Sequence, residues 1–114
     1  MSQELEDRFE KFAIRVRDFC QKLKWDTINR EYIGQLIRSS GSIGANYIEA
    51  SDRLGKADEL MKLKISRREA KESIHWLKLI LVYADDQMEM ERISLVSEAD
   101  QIKRILSAII LKLN

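Results

Sequence analysis

The sequence predicts an all-α protein folded as an antiparallel, up-down-up-down four-helix bundle. The 114 residues include no proline, so no helix interior is interrupted by one. Only four glycines occur, and three of them lie between Gly34 and Gly44, so the dispersed turn residues of an all-β fold are missing. Apolar residues recur at three- and four-residue steps in four stretches. Four helices with short connections pack most simply as such a bundle.

Length and charge set the broad class. The chain fits one domain, residues 1–114, without a linker or low-complexity segment. It has 20 basic and 19 acidic side chains, and this net charge of +1 gives no general attraction to nucleic acid or to an anionic membrane. The acidic first ten residues do not resemble a signal peptide, and no segment reaches the roughly 20 apolar residues of a membrane span. The single cysteine, Cys20, fits a reducing compartment, so we expect a cytoplasmic protein without a membrane partner.

The first two helices are predicted from apolar spacing and from their ends. The first runs from about Gln3 to Lys24, with Ser2 as its N-cap. The second begins near Asn29 and ends in a turn over residues 51–55. Their apolar stripes are Leu5, Phe9, Phe12, Val16, Phe19 and Leu23 on the first helix, and Ile33, Leu36, Ile37, Ser40, Ile43, Gly44, Tyr47 and Ile48 on the second.

The third and fourth helices carry heptad-like stripes. The third is predicted from about Ala57 to Tyr83. The fourth is predicted to start after Asp85 and Asp86, where Asp86 and Glu89 have the spacing of a capping box, with Asp in place of Ser or Thr. The stripes are Leu60, Leu63, Ala70, Ile74, Leu77, Leu81 and Ala84 on the third helix, and Leu95 or Val96, Ala99, Ile102, Leu106, Ile109 and Leu113 on the fourth.

The centre of the second helix, residues 39–46, is rich in Ser and Gly, which are poor helix formers. Small residues let a second helix approach closely, and hydroxyl groups can form hydrogen bonds within or across helices. Tight helix packing is our main interpretation. A ligand or phosphate site, a kink and a subunit contact are the alternatives.

Two blocks of the sequence resemble a known family. Residues 38–50, Arg-Ser-Ser-Gly-Ser-Ile-Gly-Ala-Asn-Tyr-Ile-Glu-Ala, resemble the Ser-Ile-x-Ala-Asn-x-x-Glu stretch of the four-helix-bundle family of bacterial ribosomal-RNA intervening-sequence proteins. Residues 64–77 match that family's Glu-Ala-x-Glu followed by Trp-Leu, and residues 99–109 also fit. Ala50 stands where the family usually has Gly, and Tyr47 stands where a small aliphatic residue is commoner. We expect neither departure to change the fold.

The resemblance implies a homo-oligomer, specifically a ring-like homopentamer of bundles, and no enzymatic activity. A related branch, the accessory variability protein of diversity-generating retroelements, is a pentameric barrel that binds reverse transcriptase and nucleic acid. The partners that the resemblance implies are therefore further copies of the chain, and RNA or a reverse-transcriptase-type nucleoprotein.

Residue patterns typical of catalysis or metal binding are incomplete. Glu72 and His75 have the Glu-x-x-His spacing of di-iron bundles, but such a site needs two of these pairs and His75 is the only histidine. Cys20 lies on the apolar face of a different helix and is interpreted as a small core residue. Residues 41–44 spell a KH-domain loop without its surrounding strands, and no Gly-Lys-Ser/Thr phosphate loop occurs. We expect no enzyme, cofactor or metal site, and a metal-dependent enzyme is the weakest alternative.

The third helix carries the charge pattern that bears most on function. Residues 56–84 contain seven basic and four acidic side chains (net +3), whereas residues 85–114 contain four basic and six acidic ones (net −2). Such a run usually marks a solvated helix face, but repetition in a ring would form a basic belt able to hold RNA. Tyrosines could add base stacking or could belong to the core. The candidate nucleic-acid-binding residues are Lys64, Arg67, Arg68, Lys71 and Lys78, and the tyrosines are Tyr32, Tyr47 and Tyr83.

A second polar group is assigned to packing or to a subunit interface. Asn46 and Glu49 share one face of the second helix, and Glu69 and Glu72 lie near Trp76 on the third. Partly buried carboxylates need cationic partners, either within the subunit or on a neighbour. The candidate partners are Arg38, Arg67 and Arg68, and the candidate structural or interface residues are Arg38, Ser42, Asn46, Glu49, Glu69, Glu72 and Trp76.

The sequence therefore predicts a non-catalytic oligomeric adaptor that associates with RNA or a nucleoprotein partner through the basic face of its third helix. The alternative is a protein-only oligomeric scaffold with no nucleic-acid role. Sensitivity of RNA binding to salt separates the two, because phosphate contacts release counterions.

Overall fold

The computed structural model describes residues 2–114 as four α-helices with no strand among them. The helices are α1 (Gln3–Gln21), α2 (Thr27–Ala50), α3 (Lys56–Leu79) and α4 (Asp86–Leu113). They form an elongated bundle of 46 × 22 × 20 Å. The all-α prediction with four helices is confirmed. No helix within residues 2–114 is both long enough and apolar enough to cross a lipid bilayer.

One hydrophobic core draws side chains from all four helices. The largest fully buried residues include Phe9, Phe12 and Phe19 of α1. On α2 the predicted stripe is too wide, because Ile37 and Ile48 are 42% and 50% exposed. Each directly follows a buried residue, Leu36 or Tyr47. A helical stripe faces the core only at alternating steps of three and four residues, so the next residue along the chain points away from it.

Side-chain caps begin three of the helices. Ser2 caps α1 as predicted, since its Oγ accepts a hydrogen bond from the backbone N–H of Leu5 at 3.0 Å. Asp26 caps α2, which starts two residues earlier than predicted. The predicted capping box of α4 is wrong by one residue. Its N-cap is Asp85, whose Oδ1 accepts from the N–H of Met88 at 3.1 Å, and Asp86 is already helical.

The end of α3 also differs from the prediction. The helix stops at Leu79, so the expected stripe positions Leu81 and Ala84 lie in the following loop and are exposed. Tyr83 and Ala84 both have positive φ angles, 52° and 61°, which no helix continues through. From α4, the guanidinium of Arg92 donates hydrogen bonds to carbonyl oxygens at this end of α3, those of Leu77 and Ile80. A helix terminus leaves such carbonyls without partners, so Arg92 stabilises the early stop.

Asn29 joins the start of α2 to the loop after α3 and is fully buried. Its amide nitrogen donates to the carbonyl oxygens of Lys24 at 3.0 Å and Leu81 at 2.9 Å. Its Oδ1 accepts from the backbone N–H of Leu81 at 2.9 Å. The importance of Asn29 cannot be inferred from local spacing, because its principal partner lies 52 residues away.

The Ser- and Gly-rich centre of α2 packs closely against its neighbours, as predicted. Ser66 of α3 donates a hydrogen bond to the carbonyl oxygen of Ile43 at 2.7 Å. A methyl group added at Gly44 would stand 3.5 Å from the Cβ of Phe9 on α1. The 3.5 Å distance at Gly44 is an ordinary contact, so the close packing of this segment is chiefly that of its serine-containing face with α3.

Candidate nucleic-acid interface

A groove of about 910 Å³ follows α3 from Ala57 to Trp76, and every residue that lines it belongs to that helix. We call it the α3 groove. At 1.5 Å per residue this stretch is about 28 Å long. The core-facing residues of α3, Leu63, Ala70 and Leu77, lie on the other side of the helix and are fully buried. The groove is therefore an outer surface of the bundle.

The structure gathers four of the five predicted nucleic-acid-binding residues in this groove. Lys64, Arg68 and Lys71 are exposed, and Arg67 is half-buried. The Nη1 atom of Arg67 lies 3.4 Å from the hydroxyl of Ser107 on α4. Within residues 2–114, none of these four cations has a carboxylate oxygen within 4.0 Å. None of the four is therefore held in an ion pair within this part of the chain, although Glu72 lines the groove beside them and the charge of Arg68 acts on Glu69.

Lys78 lies apart from the α3 groove. It is exposed beside a smaller cleft of about 280 Å³ between α3 and α4, which Glu89 and Arg92 also line. It also has no ion pair among the described residues. Four of the five candidates thus line the α3 groove, and the fifth follows His75 by three residues on the same helix.

Several cations elsewhere on the bundle are neutralised. Arg8 of α1 makes two hydrogen bonds of 2.9 Å to the carboxylate of Glu98 on α4, and the pKa of its guanidinium is raised chiefly by this contact. On α4, Lys103 and Arg104 both pair at 2.9 Å with Asp100. By contrast, the four cations of the α3 groove form no ion pair among the described residues.

The α3 groove also has an apolar floor. Leu60 and Ile65 are half-buried there, and Met61 is 60% exposed. The groove therefore combines cationic side chains with one exposed and two half-buried apolar ones.

One end of the α3 groove is aromatic. The half-buried Trp76 stacks on Tyr32 of α2, with ring centroids 6.1 Å apart and planes inclined by 29°. The exposed imidazole of His75 lies 4.9 Å from the Trp76 ring, edge-on. Trp76, which the sequence assigned to packing or to an interface, therefore packs against α2 and lines the groove as well.

Tyr32 contacts Trp76 without lining the groove, and the other two tyrosines lie away from it. Tyr47 is in the core, where its hydroxyl accepts from the backbone N–H of Ser2 at 2.9 Å and its ring packs edge-on against Phe9. It belongs to the core, so the base-stacking alternative is wrong for Tyr47. Tyr83 is exposed in the loop after α3, and its hydroxyl donates to the carboxylate of Asp26.

Glu69 and Glu72 stand as neighbouring like charges on α3. Burial raises the pKa of Glu69 above its usual range, and the charge of Glu72 adds to the rise, while Arg68 and Arg38 oppose it. Among the described residues neither carboxylate forms an ion pair within 4.0 Å. The predicted pairing with arginines of the same subunit is therefore not formed by these two groups.

The remaining predicted interface residues bond within the subunit. Glu49 of α2 pairs with Lys62 of α3 at 3.0 Å instead of with an arginine. The Ser42 hydroxyl donates to the carbonyl oxygen of Arg38, and the Asn46 amide donates to that of Ser42, each at 2.8 Å. The guanidinium of Arg38 donates to Gln35 at 2.8 Å.

No group of three or more potential metal ligands comes together within residues 2–114. Cys20 is buried, and this burial raises the pKa of its thiol to about 12. The interpretation of Cys20 as a core residue is confirmed.

Comparison with known proteins identifies relatives. The model of the 23S rRNA-intervening sequence protein family matches residues 4–108. A crystal structure of a protein with unknown function from the S23 ribosomal protein family of Bacteroides thetaiotaomicron is 30% identical to this chain. The match covers 92% of this chain and 93% of that one, with a TM-score of 0.76. No curated protein matches. The extent of these two matches, together with the four-helix fold, shows that this chain belongs to the 23S rRNA-intervening sequence protein family.

Proposed function

We propose that this chain is a non-catalytic oligomeric adaptor that binds RNA, or RNA within a nucleoprotein, through the α3 groove. One observation carries the proposal: Lys64, Arg67, Arg68 and Lys71 line a single groove and lack carboxylate partners among the described residues. Cations in such a row bind a polyanion by displacing its condensed counterions.

The proposal includes an antiparallel, up-down-up-down bundle. Ser2, before α1, contacts Tyr47 near the end of α2, and Asn29 near the start of α2 contacts Leu81 after α3. Arg92 near the start of α4 contacts the carbonyl oxygens of Leu77 and Ile80 at the end of α3. Contacts between opposite ends of successive helices support this topology.

Self-association completes the proposal, as a homopentamer by resemblance to the family. A subunit of net charge +1 has little affinity for RNA by total charge. Five α3 grooves in one ring would multiply that affinity, because the later contacts become intramolecular. Glu69 and Glu72, which lack ion pairs among the described residues, are the candidates for contact with a neighbouring subunit. We expect Glu69→Ala and Glu72→Ala to lower the oligomer mass in light scattering, and wild-type mass for both would contradict this role.

The first experiment is size-exclusion chromatography with light scattering and dual absorbance at 260 and 280 nm, at low and high salt. We expect an oligomer that carries RNA at low salt and loses it at high salt. RNA affinity should then be measured for Lys71→Gln and Arg68→Gln, each of which should lower the slope of log affinity against log salt by about one. The matched control is Lys11→Gln, an exposed lysine on α1. Equal slopes for all variants would contradict the proposal.

A protein-only scaffold is the second candidate, because the apolar floor of the α3 groove would also suit a protein partner. Met61 is 60% exposed at the centre of this floor. A clean oligomer without nucleic acid, whose partner binding ignores salt and is weakened by Met61→Ser, would favour the scaffold.

A further inference from the structure

We infer that the α3 groove binds single-stranded RNA, with an unpaired base held against His75 and Trp76 and backbone phosphates held by Lys64, Arg68 and Lys71. The inference rests on the proposed RNA-binding function and specifies the ligand class of the same site. Three features of the groove support the inference, and a surface that bound only phosphates would need none of them.

The first feature is the order of the side chains. Lys64, Arg68, Lys71 and His75 follow one another at steps of four, three and four residues, so they lie on one line along α3. Neighbouring members are about 4.5–6 Å apart along the helix axis. All four line the groove. A polyanionic strand can thus follow the cations and reach the aromatic end without crossing the helix.

The second feature is the apolar floor. Duplex RNA presents phosphates and sugar hydroxyls to a protein and keeps its base faces stacked inside the helix. Leu60, Met61 and Ile65 would gain little from such a surface. A single strand exposes the flat faces of its bases, which bury favourably on apolar and aromatic side chains. The combination of cations and apolar floor therefore favours a single strand.

The third feature is the fixed aromatic end. Tyr32 stacks on Trp76 from α2, with ring centroids 6.1 Å apart, and so holds the indole in place. His75 stands exposed beside it at 4.9 Å, and both rings line the groove. Aromatic rings held in this way accept bases of any sequence, because every base has a π-face. We therefore assign little sequence preference to the site.

The test uses the whole oligomer and two probes. The first is a fluorescein-labelled oligoadenylate of about 12 nucleotides, and the second is the same strand annealed to oligouridylate. Fluorescence anisotropy should show tighter binding of the single strand. His75→Ser, at an exposed position, should weaken single-strand binding about tenfold and leave the duplex and the salt slope unchanged. Trp76→Leu should act likewise, and Trp76→Phe should restore affinity. Trp25→Leu, at an exposed tryptophan outside the groove, is the matched control.

Two results would overturn the inference and leave the proposed function intact. The first is that the protein binds both probes with equal affinity. The second is that His75→Ser and Trp76→Leu bind the single strand as tightly as the wild type does. In both cases Lys71→Gln must still weaken binding. A lower oligomer mass in His75→Ser with unchanged RNA affinity would also overturn it and would assign this end of the groove to self-association. No salt-sensitive binding of either probe would overturn the proposed function itself.

Discussion

The hydroxyl oxygens of Ser39 and Ser73 lie 2.9 Å apart in the buried seam between α2 and α3. Both side chains are also close to carbonyl oxygens of their own helices, Leu36 at 3.3 Å and Glu69 at 2.9 Å. Every hydroxyl group in the seam thus has a partner, as buried polar groups require. The two serines allow close packing without an unsatisfied polar group.

Enlarging Ser39 should destabilise the bundle. Ser39→Leu should lower the free energy of unfolding by about 1–3 kcal/mol, since it overpacks the seam between α2 and α3. Urea unfolding measures the change. Ser97→Leu, at an exposed position on α4, is the control and should have a much smaller effect. Equal unfolding midpoints for the two variants would contradict the close packing described here.

The glycines should respond in opposite directions. Gly34→Ala and Gly41→Ala should each raise stability by about 0.5–1 kcal/mol, because an added Cβ meets nothing within 4 Å and alanine favours the helix. Gly55→Ala should lower it by about 1 kcal/mol, because Gly55 has a φ of 117°. Thermal unfolding distinguishes the two signs. A stabilising Gly55→Ala would show that this turn tolerates a side chain.

Loss of the Asn29 side chain should be costly. Asn29→Ala leaves the backbone of Leu81 and the carbonyl of Lys24 without these hydrogen bonds, so we expect a loss of about 3 kcal/mol in the free energy of unfolding. Asn46→Ala is the matched control, because its amide bonds only to the preceding turn of α2, and its loss should stay under about 1 kcal/mol. Similar losses for both asparagines would refute the role of Asn29 as the link between α2 and the α3–α4 loop.

Cys20 should be unreactive in the native protein. Its burial raises the thiol pKa to about 12, so at neutral pH almost no thiolate is present and the sulfur is shielded from reagents. Reaction with Ellman's reagent should be slow in native buffer and should accelerate as urea unfolds the bundle. Prompt, stoichiometric labelling without urea would show that α1 opens readily.

Glu69 should make stability depend on pH. Its pKa in the folded chain is raised by burial and by Glu72, so the folded state takes up the proton at a higher pH than the unfolded state. Stability should therefore increase as pH falls through this raised pKa toward the usual carboxyl range, and decrease as pH rises through it. Glu69→Gln should flatten that dependence in urea unfolding at several pH values. An unchanged pH profile would show that Glu69 is not held against Glu72 in solution.

The spacing of apolar residues predicted the four helices well, because the stripe that a helix buries is set by residues only three or four positions apart. Phe9, Phe12 and Phe19 are buried as expected. The errors lie where distant side chains decide the outcome. The end of α3 depends on Arg92 and the loop after it on Asn29, neither of which is near it in sequence. The start of α4 was misplaced because Asp85 and Asp86 both offer an acidic cap.

The sequence predicts which cations belong to the candidate site, but it does not predict the aromatic end of the groove. Lys64, Arg68 and Lys71 stand out in the sequence because helical spacing places them on neighbouring faces. The aromatic end of the α3 groove depends on Tyr32 of α2 reaching Trp76 of α3, which is a tertiary contact. That contact became visible only once the two helices were packed.

The link between Arg8 and Glu98 has a consequence for how the chain is made. These residues are 90 positions apart, so their contact cannot form until α4 has left the ribosome, whereas α1, α2 and α3 can pair in turn as they emerge. The 28 residues of α4 take about 1–6 seconds to synthesise. During that interval the nascent three-helix intermediate leaves uncovered the apolar surface that α4 will bury. The nascent chain is therefore most exposed to non-native association in the period before α4 packs.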